Sequence, residues 1–164
     1  MSKHHVIIGN GVAGITCARH LRKKDSNCRI TVISAESKYF YSRTALMYVY
    51  MGHMKQKDTQ PYEPWFWTKN RIDLIQDRVK SIDCASNTLT LDSSKAVTYD
   101  NLILATGSKP NYFGWKGQDL NGVGGLYSLQ DLAKMEQYTT GIKKAVIIGG
   151  GLIGIEMAEM LLSR

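Results

Sequence analysis

Two short glycine-rich runs dictate most of what this chain can fold into. The first is Gly9-Asn10-Gly11-Val12-Ala13-Gly14 and the second Gly149-Gly150-Gly151-Leu152-Ile153-Gly154, 140 positions apart. Each has the form G-x-G-x-x-G, follows a short apolar run (residues 5–8 and 145–148) and leads into a segment of helical periodicity. A strand, a glycine turn and a helix in about 20 residues open a dinucleotide-binding βαβ unit. The glycines have separate duties: Gly9 allows the tight turn, Gly11 lets backbone approach a pyrophosphate, and Gly14 lets the helix pack closely on the sheet. The helix N-terminus then offers free N–H groups and partial positive charge to the anion.

The first unit is complete by sequence. RITVI at residues 29–33 reads as its second strand and delivers Glu36, 22 positions after Gly14. A carboxylate there suits a ribose diol and repels a 2′-phosphate, which favours FAD or NAD over NADP. In the second unit the equivalent acid, ~20 residues on, would fall beyond Arg164. The chain therefore reads as truncated inside its second nucleotide site.

Between the two motifs the texture changes twice. Ala45, Met47, Tyr48, Met51 and Met54 stand near helical spacing and predict a helix interrupted around Gly52. A loop with Pro61 and Pro64, a short helix from Trp65 and a strand over 72–75 follow. RVKSID, NTLTLD and AVTYD are short alternating runs separated by polar turns, which predicts an antiparallel meander. NLILA at 101–105 is nearly continuously apolar and suits the centre of a parallel sheet. Residues 108–126 read as a linker, and Ser128 with Asp131 three positions on reads as a helix start. The expected fold is α/β: a Rossmann-like domain with a parallel central sheet and an inserted three-stranded meander, plus the first strand and helix of a second Rossmann domain.

Composition removes other classes. The net charge of +7 is spread over pairs such as Lys23-Lys24 and Lys143-Lys144, without a basic tract or a nucleic-acid motif, so a solvated surface is expected and no nucleic-acid partner. Cys17, Cys28 and Cys84 form no C-x-x-C, and the four histidines have no ligand spacing, so no metal is expected. The N-terminus enters a strand without room for a signal peptide, and the longest apolar stretch, 145–155, is well short of a membrane span. A cytoplasmic protein with reduced thiols is the expectation.

YDNLILATGSKPN at 99–111 resembles the aromatic-Asp-x-Leu-apolar-apolar-Ala-Thr-Gly segment of two-dinucleotide-domain flavoproteins in the pyridine nucleotide–disulfide oxidoreductase superfamily. The order of glycine motif, Glu36, meander, Ala-Thr-Gly and second glycine motif is similar to that superfamily along the whole chain. The resemblance implies an FAD-binding domain over 1–110 that lacks a C-terminal segment, a linker and connecting helix over 111–142, and the start of an NAD(P)H-binding domain over 143–164. It also implies that Ala105, Thr106 and Gly107 pass beside FAD, that Arg43 contacts its pyrophosphate, and that the backbone around Val79 holds its adenine. Asn10, Val12, Ala13 and Ser37 join Gly9, Gly11, Gly14 and Glu36 as candidate FAD-binding positions. Gly149, Gly151, Gly154 and Glu156 are the NAD(P)H-side set.

Disulfide-reducing members carry redox cysteine after the second strand, whereas residues 36–54 here contain none. IIGNGVAG with YSRTALMYVYMG most resembles the branch of rubredoxin and ferredoxin reductases and the NADH-binding portion of assimilatory nitrite reductase. The resemblance implies an FAD-dependent NAD(P)H oxidoreductase that passes electrons to an external acceptor such as a small redox protein. Type II NADH:quinone reductase is the alternative, as is a non-catalytic nucleotide-binding fragment. Ferredoxin-reductase-like members often place a lysine near flavin N5, five residues after the arginine that matches Arg43, and pair it with the glutamate that matches Glu156. Tyr48 stands at the lysine position here. No catalytic residue is assigned beyond Tyr48 and Glu156 as candidates. The truncated chain is expected to be inactive, and a homo-oligomer is compatible with the superfamily.

Overall fold

The computed structural model describes residues 2–164. In chain order its elements are β1 (His4–Ile8), α1 (Val12–Lys24), β2 (Arg29–Ser34), α2 (Leu46–Tyr50), α3 (Pro64–Lys69), β3 (Ile72–Gln76), β4 (Val79–Asp83), β5 (Thr88–Leu91), β6 (Ala96–Thr98), β7 (Asn101–Leu104), α4 (Leu129–Thr139) and α5 (Leu152–Leu162). Single 3-10 turns occupy Arg43–Ala45 and Gln56–Thr59. The chain divides into two compact units. One runs up to Tyr41 and again over Gln60–Ser108; the other comprises Ser42–Thr59 and Lys109–Arg164.

Three layers make up the first unit. A parallel sheet of order β3-β2-β1-β7 lies in the middle, with Ile7 opposite Val32 and Ile103 across its central ladders. Because strand side chains alternate between faces, neighbouring apolar residues enter different cores. Ile7, Ile30, Val32 and Ile72 pack with Ile15 and Ala18 of α1 and Trp67 of α3. Val6 and Ile33 pack on the opposite side with Leu89 and Leu91 of the meander β4-β5-β6. Burial on both faces suits the consecutive apolar residues Val6 to Ile8 of β1 and Val32-Ile33 of β2. In α1, Gly14, Ile15 and Ala18 are buried, while Arg22, Lys23 and Lys24 occupy the last turn, where cations offset the negative end of the helix dipole.

Within the second unit, α2 packs on α4 and α5. Leu46, Tyr50, Leu132 and Met160 are its buried apolar residues. Tyr50 donates to Thr139 Oγ1 at 2.9 Å, and the Arg164 guanidinium lies 4.7 Å from the centroid of the Tyr50 ring. α4 starts with a full capping box, Ser128 accepting from the Asp131 N–H and Asp131 accepting from the Ser128 N–H.

Three sequence expectations are corrected. The apolar run at 101–105 predicted a central strand, but β7 pairs only with β1 among the described residues and ends the sheet, with Leu104 64% exposed. Hydrophobicity records which faces prefer burial and does not count strand neighbours. Residues 145–148, expected as a strand, carry no strand assignment, and Val146 and Ile148 are exposed. A strand exists only through its ladder bonds, and no partner ladder is present among the described residues. The helix expected with an interruption around Gly52 ends at Tyr50, where Gly52 follows with φ of +79°, a left-handed conformation that ends a helix cheaply only at glycine, but it does not resume after that glycine.

Candidate functional site

The carboxyl ends of β1, β2 and β7 bring three separate sequence motifs together. After β1 the chain turns sharply at Gly9, whose φ of +110° is closed to other residues, and the Gly9 N–H donates to the Ile33 carbonyl at 2.8 Å. A Cβ on Gly9 would sit 2.1 Å from the Ala105 carbonyl oxygen, so the Ala105-Thr106-Gly107 segment lies directly against the turn. A Cβ on Gly14 would sit 2.0 Å from the Gly9 carbonyl oxygen. Gly9 and Gly14 are thus required by the protein's own backbone.

Gly11 differs. Its φ of −71° and ψ of −177° suit any residue, and a Cβ there would meet nothing within 4 Å. Nothing in the fold demands this glycine; the open space it leaves lies at the N-terminus of α1. That terminus has no side-chain cap and no acidic residue in its first turn, and Val12 and Ala13 are exposed. The contrast with the capped α4 is direct, since an uncapped terminus keeps its N–H groups available to an anion.

The second turn has the same geometry. Gly149 has φ of +117°, Gly151 has φ of −77° and ψ of 179°, and a Cβ on Gly154 would sit 2.1 Å from the Gly149 carbonyl oxygen. Gly151 has open space where a Cβ would be, and α5, like α1, has neither a side-chain cap nor an acid in its first turn. The local sequence sets this conformation without a paired strand before it.

Glu36 and Ser37 follow β2 and are partly buried. Asn10, nearly buried, ties the glycine turn to this segment: its Nδ2 donates to the Ser37 carbonyl at 2.8 Å and approaches Ser37 Oγ at 3.4 Å. Ser37 Oγ in turn donates to the Tyr39 carbonyl at 2.9 Å. The Tyr41 hydroxyl donates to Glu36 Oε1. Neither of these bracing contacts is visible in motif spacing, and the only hint of the second is an aromatic five positions after the acid. Val79 begins β4 and packs beside the Val6, Ile33, Leu89 and Leu91 core. Thr106 and Gly107 are exposed, and Gly107 has φ of +70°.

Arg43, Tyr48 and Glu156 belong to the second unit. The Arg43 guanidinium stacks 4.1 Å from the Tyr127 ring centroid and donates to the Tyr127 carbonyl. Tyr48 is 44% exposed, and its ring centroid lies 6.3 Å from that of His53. Glu156 is partly buried on α5. All three cysteines are free, and burial pushes the Cys17 thiol up. Among the described residues no group of three or more His, Cys, Asp or Glu could hold a metal ion, and no helix is long and apolar enough to cross a membrane.

Three relatives bear on this geometry. The ferredoxin reductase component of chlorobenzene dioxygenase from Cupriavidus sp. (strain PS12) is 33% identical over 159 residues, 96% of this chain and 39% of that protein. Nitrite reductase [NAD(P)H] from Bacillus subtilis (strain 168) is 35% identical over 98% of this chain and 20% of its own length. The crystal structure of NADH:rubredoxin oxidoreductase from Clostridium acetobutylicum superposes with a TM-score of 0.86 at 32% identity, covering 99% of this chain and 42% of that one. The chain thus spans about two fifths or less of the length of these relatives. The sequence profile of one family, pyridine nucleotide-disulphide oxidoreductase, matches residues 3–164, and with the two glycine turns and the strand-end site already described, the chain belongs to that family.

Proposed function

We propose that the first unit binds FAD and that this chain is the flavin-binding part of an NAD(P)H oxidoreductase delivering electrons to an external acceptor, a small redox protein. The observation that carries the FAD assignment is the division of labour among the glycines. Gly9 and Gly14 answer to the fold, whereas Gly11 keeps open a space that the fold does not use. That space fits a pyrophosphate, with the α1 N-terminus supplying N–H donors and positive potential.

Glu36 accepts hydrogen bonds from the adenosine ribose diol, and its charge repels a 2′-phosphate, selecting FAD over a phosphorylated nucleotide. Ala105 to Gly107 line the approach beside the turn, and Val79 borders the adenine. The turn at Gly149–Gly154 takes the pyrophosphate of NAD(P)H through the same geometry. FAD held there would supply two-electron chemistry between a nicotinamide and the acceptor. Residues 36–54 hold no cysteine, so the electrons leave without a protein disulfide in that segment. Ferredoxin and rubredoxin in the names of relatives support a small redox protein as acceptor. Arg43 is proposed for the FAD pyrophosphate, with Tyr48 and Glu156 as candidates beside the flavin and nicotinamide.

Glu36→Gln tests the assignment. Relative to the unchanged chain, FAD affinity is expected to fall about tenfold, the scale of a hydrogen bond to a charged group, and discrimination against 2′-phosphorylated nucleotides to shrink. Unchanged affinity and unchanged discrimination would contradict the placement of the ribose. The chain alone is proposed to be a binding portion without turnover: with FAD added, NADH should not reduce ferricyanide faster than free FAD does.

A further inference from the structure

Glu36 faces a problem that the sequence motif does not solve. A glutamate has three rotatable bonds, and only a narrow set of its conformations presents both carboxylate oxygens to adjacent hydroxyls. It also sits in a non-regular segment after β2, where no ladder fixes the backbone. From Tyr41, 6% exposed and in the same compact unit, a phenol hydroxyl donates to Glu36 Oε1. An ionised carboxylate is acceptor-only with about four lone-pair sites, so accepting from a phenol does not preclude accepting from a diol. Such a bond to a charged acceptor is strong and directional, and its donor is held by burial of the ring.

The intervening backbone is braced as well. Asn10, inside the glycine motif, holds the Ser37 carbonyl, and the Ser37 hydroxyl holds the Tyr39 carbonyl. The groups that would face a pyrophosphate and those that would face the ribose are therefore connected by hydrogen bonds through protein alone.

We infer that Tyr41 is a positioning residue that fixes the Glu36 carboxylate for the adenosine ribose diol, with Asn10 and Ser37 holding the segment between them. The inference rests on the FAD reading. It assigns Tyr41 no contact with the cofactor; its effect reaches the ligand only through Glu36.

The test compares FAD with an FAD analogue lacking the adenosine 2′-hydroxyl, each titrated into the chain and followed by flavin fluorescence. The unchanged chain is expected to prefer FAD. Tyr41→Phe, which removes one oxygen and keeps the ring, should weaken FAD about tenfold and the deoxy analogue at most about twofold, so that the preference collapses. A general loosening of the fold would weaken both ligands equally. In a Glu36→Gln background the same change should have no further effect on the preference, which excludes an action independent of Glu36. If Tyr41→Phe keeps the full preference for FAD, or loses affinity for both ligands alike, the positioning role is wrong while the FAD site stands. If the unchanged chain, folded by circular dichroism, binds neither ligand, the FAD reading itself is overturned and this inference with it.

Discussion

Alanine at position 14 would place its Cβ 2.0 Å from the Gly9 carbonyl oxygen, a distance that backbone cannot absorb without moving the turn. Gly14→Ala is expected to cost about 3 kcal/mol, the upper part of the range for overpacked sites, measured as a shift in the urea midpoint. Gly11→Ala meets open space in an ordinary extended conformation, so its stability should stay within about 0.5 kcal/mol while FAD affinity falls at least about tenfold. Equal destabilisation by the two substitutions would contradict the division between fold and ligand glycines. His4 offers a separate check. Burial, reinforced by the Arg29 charge and opposed by Asp100 and Asp73, holds its imidazole below the ordinary value. The unfolded chain therefore takes up a proton below about pH 6.5 that the folded chain resists, so stability falls as pH drops from there through the lowered folded value. His4→Gln should flatten that loss between about pH 7 and 5, and an unchanged slope would assign the acid sensitivity elsewhere.

Elements differ in how much of their form the local sequence carries. α1, the meander and the capped start of α4 were legible because period, turn residues and caps act over a few positions. Ser128→Ala removes the acceptor for the Asp131 N–H and should cost about 1 kcal/mol in denaturant unfolding. The glycine turns were legible to the same degree; at Gly149–Gly154 the geometry forms even though residues 145–148 pair with nothing described. Strand status was not legible there, nor was the edge position of β7, since both depend on neighbours remote in sequence. The Tyr41 and Asn10 contacts escaped for a similar reason: a hydrogen bond between a side chain and a loop leaves no period. In the core, Ile7 is fully buried among Ile15, Ala18, Val32 and Trp67, and Ile7→Ala should cost about 2 to 5 kcal/mol.

At the scale of the molecule, the first unit holds the parallel sheet, the meander and the converging strand ends against which the adenosine diphosphate half of FAD is proposed to bind. The second unit repeats the glycine turn and carries Ala145 to Ile155 with most of its apolar side chains exposed, including Ile153 at 74%. The first unit is proposed as an FAD site read through its adenosine diphosphate end. The most direct measurement is a calorimetric titration of the folded chain with FAD, repeated in the presence of ADP. One FAD bound per chain, displaced by ADP and weakened in Gly11→Ala, is the expected result; a folded chain that binds neither FAD nor ADP would contradict it.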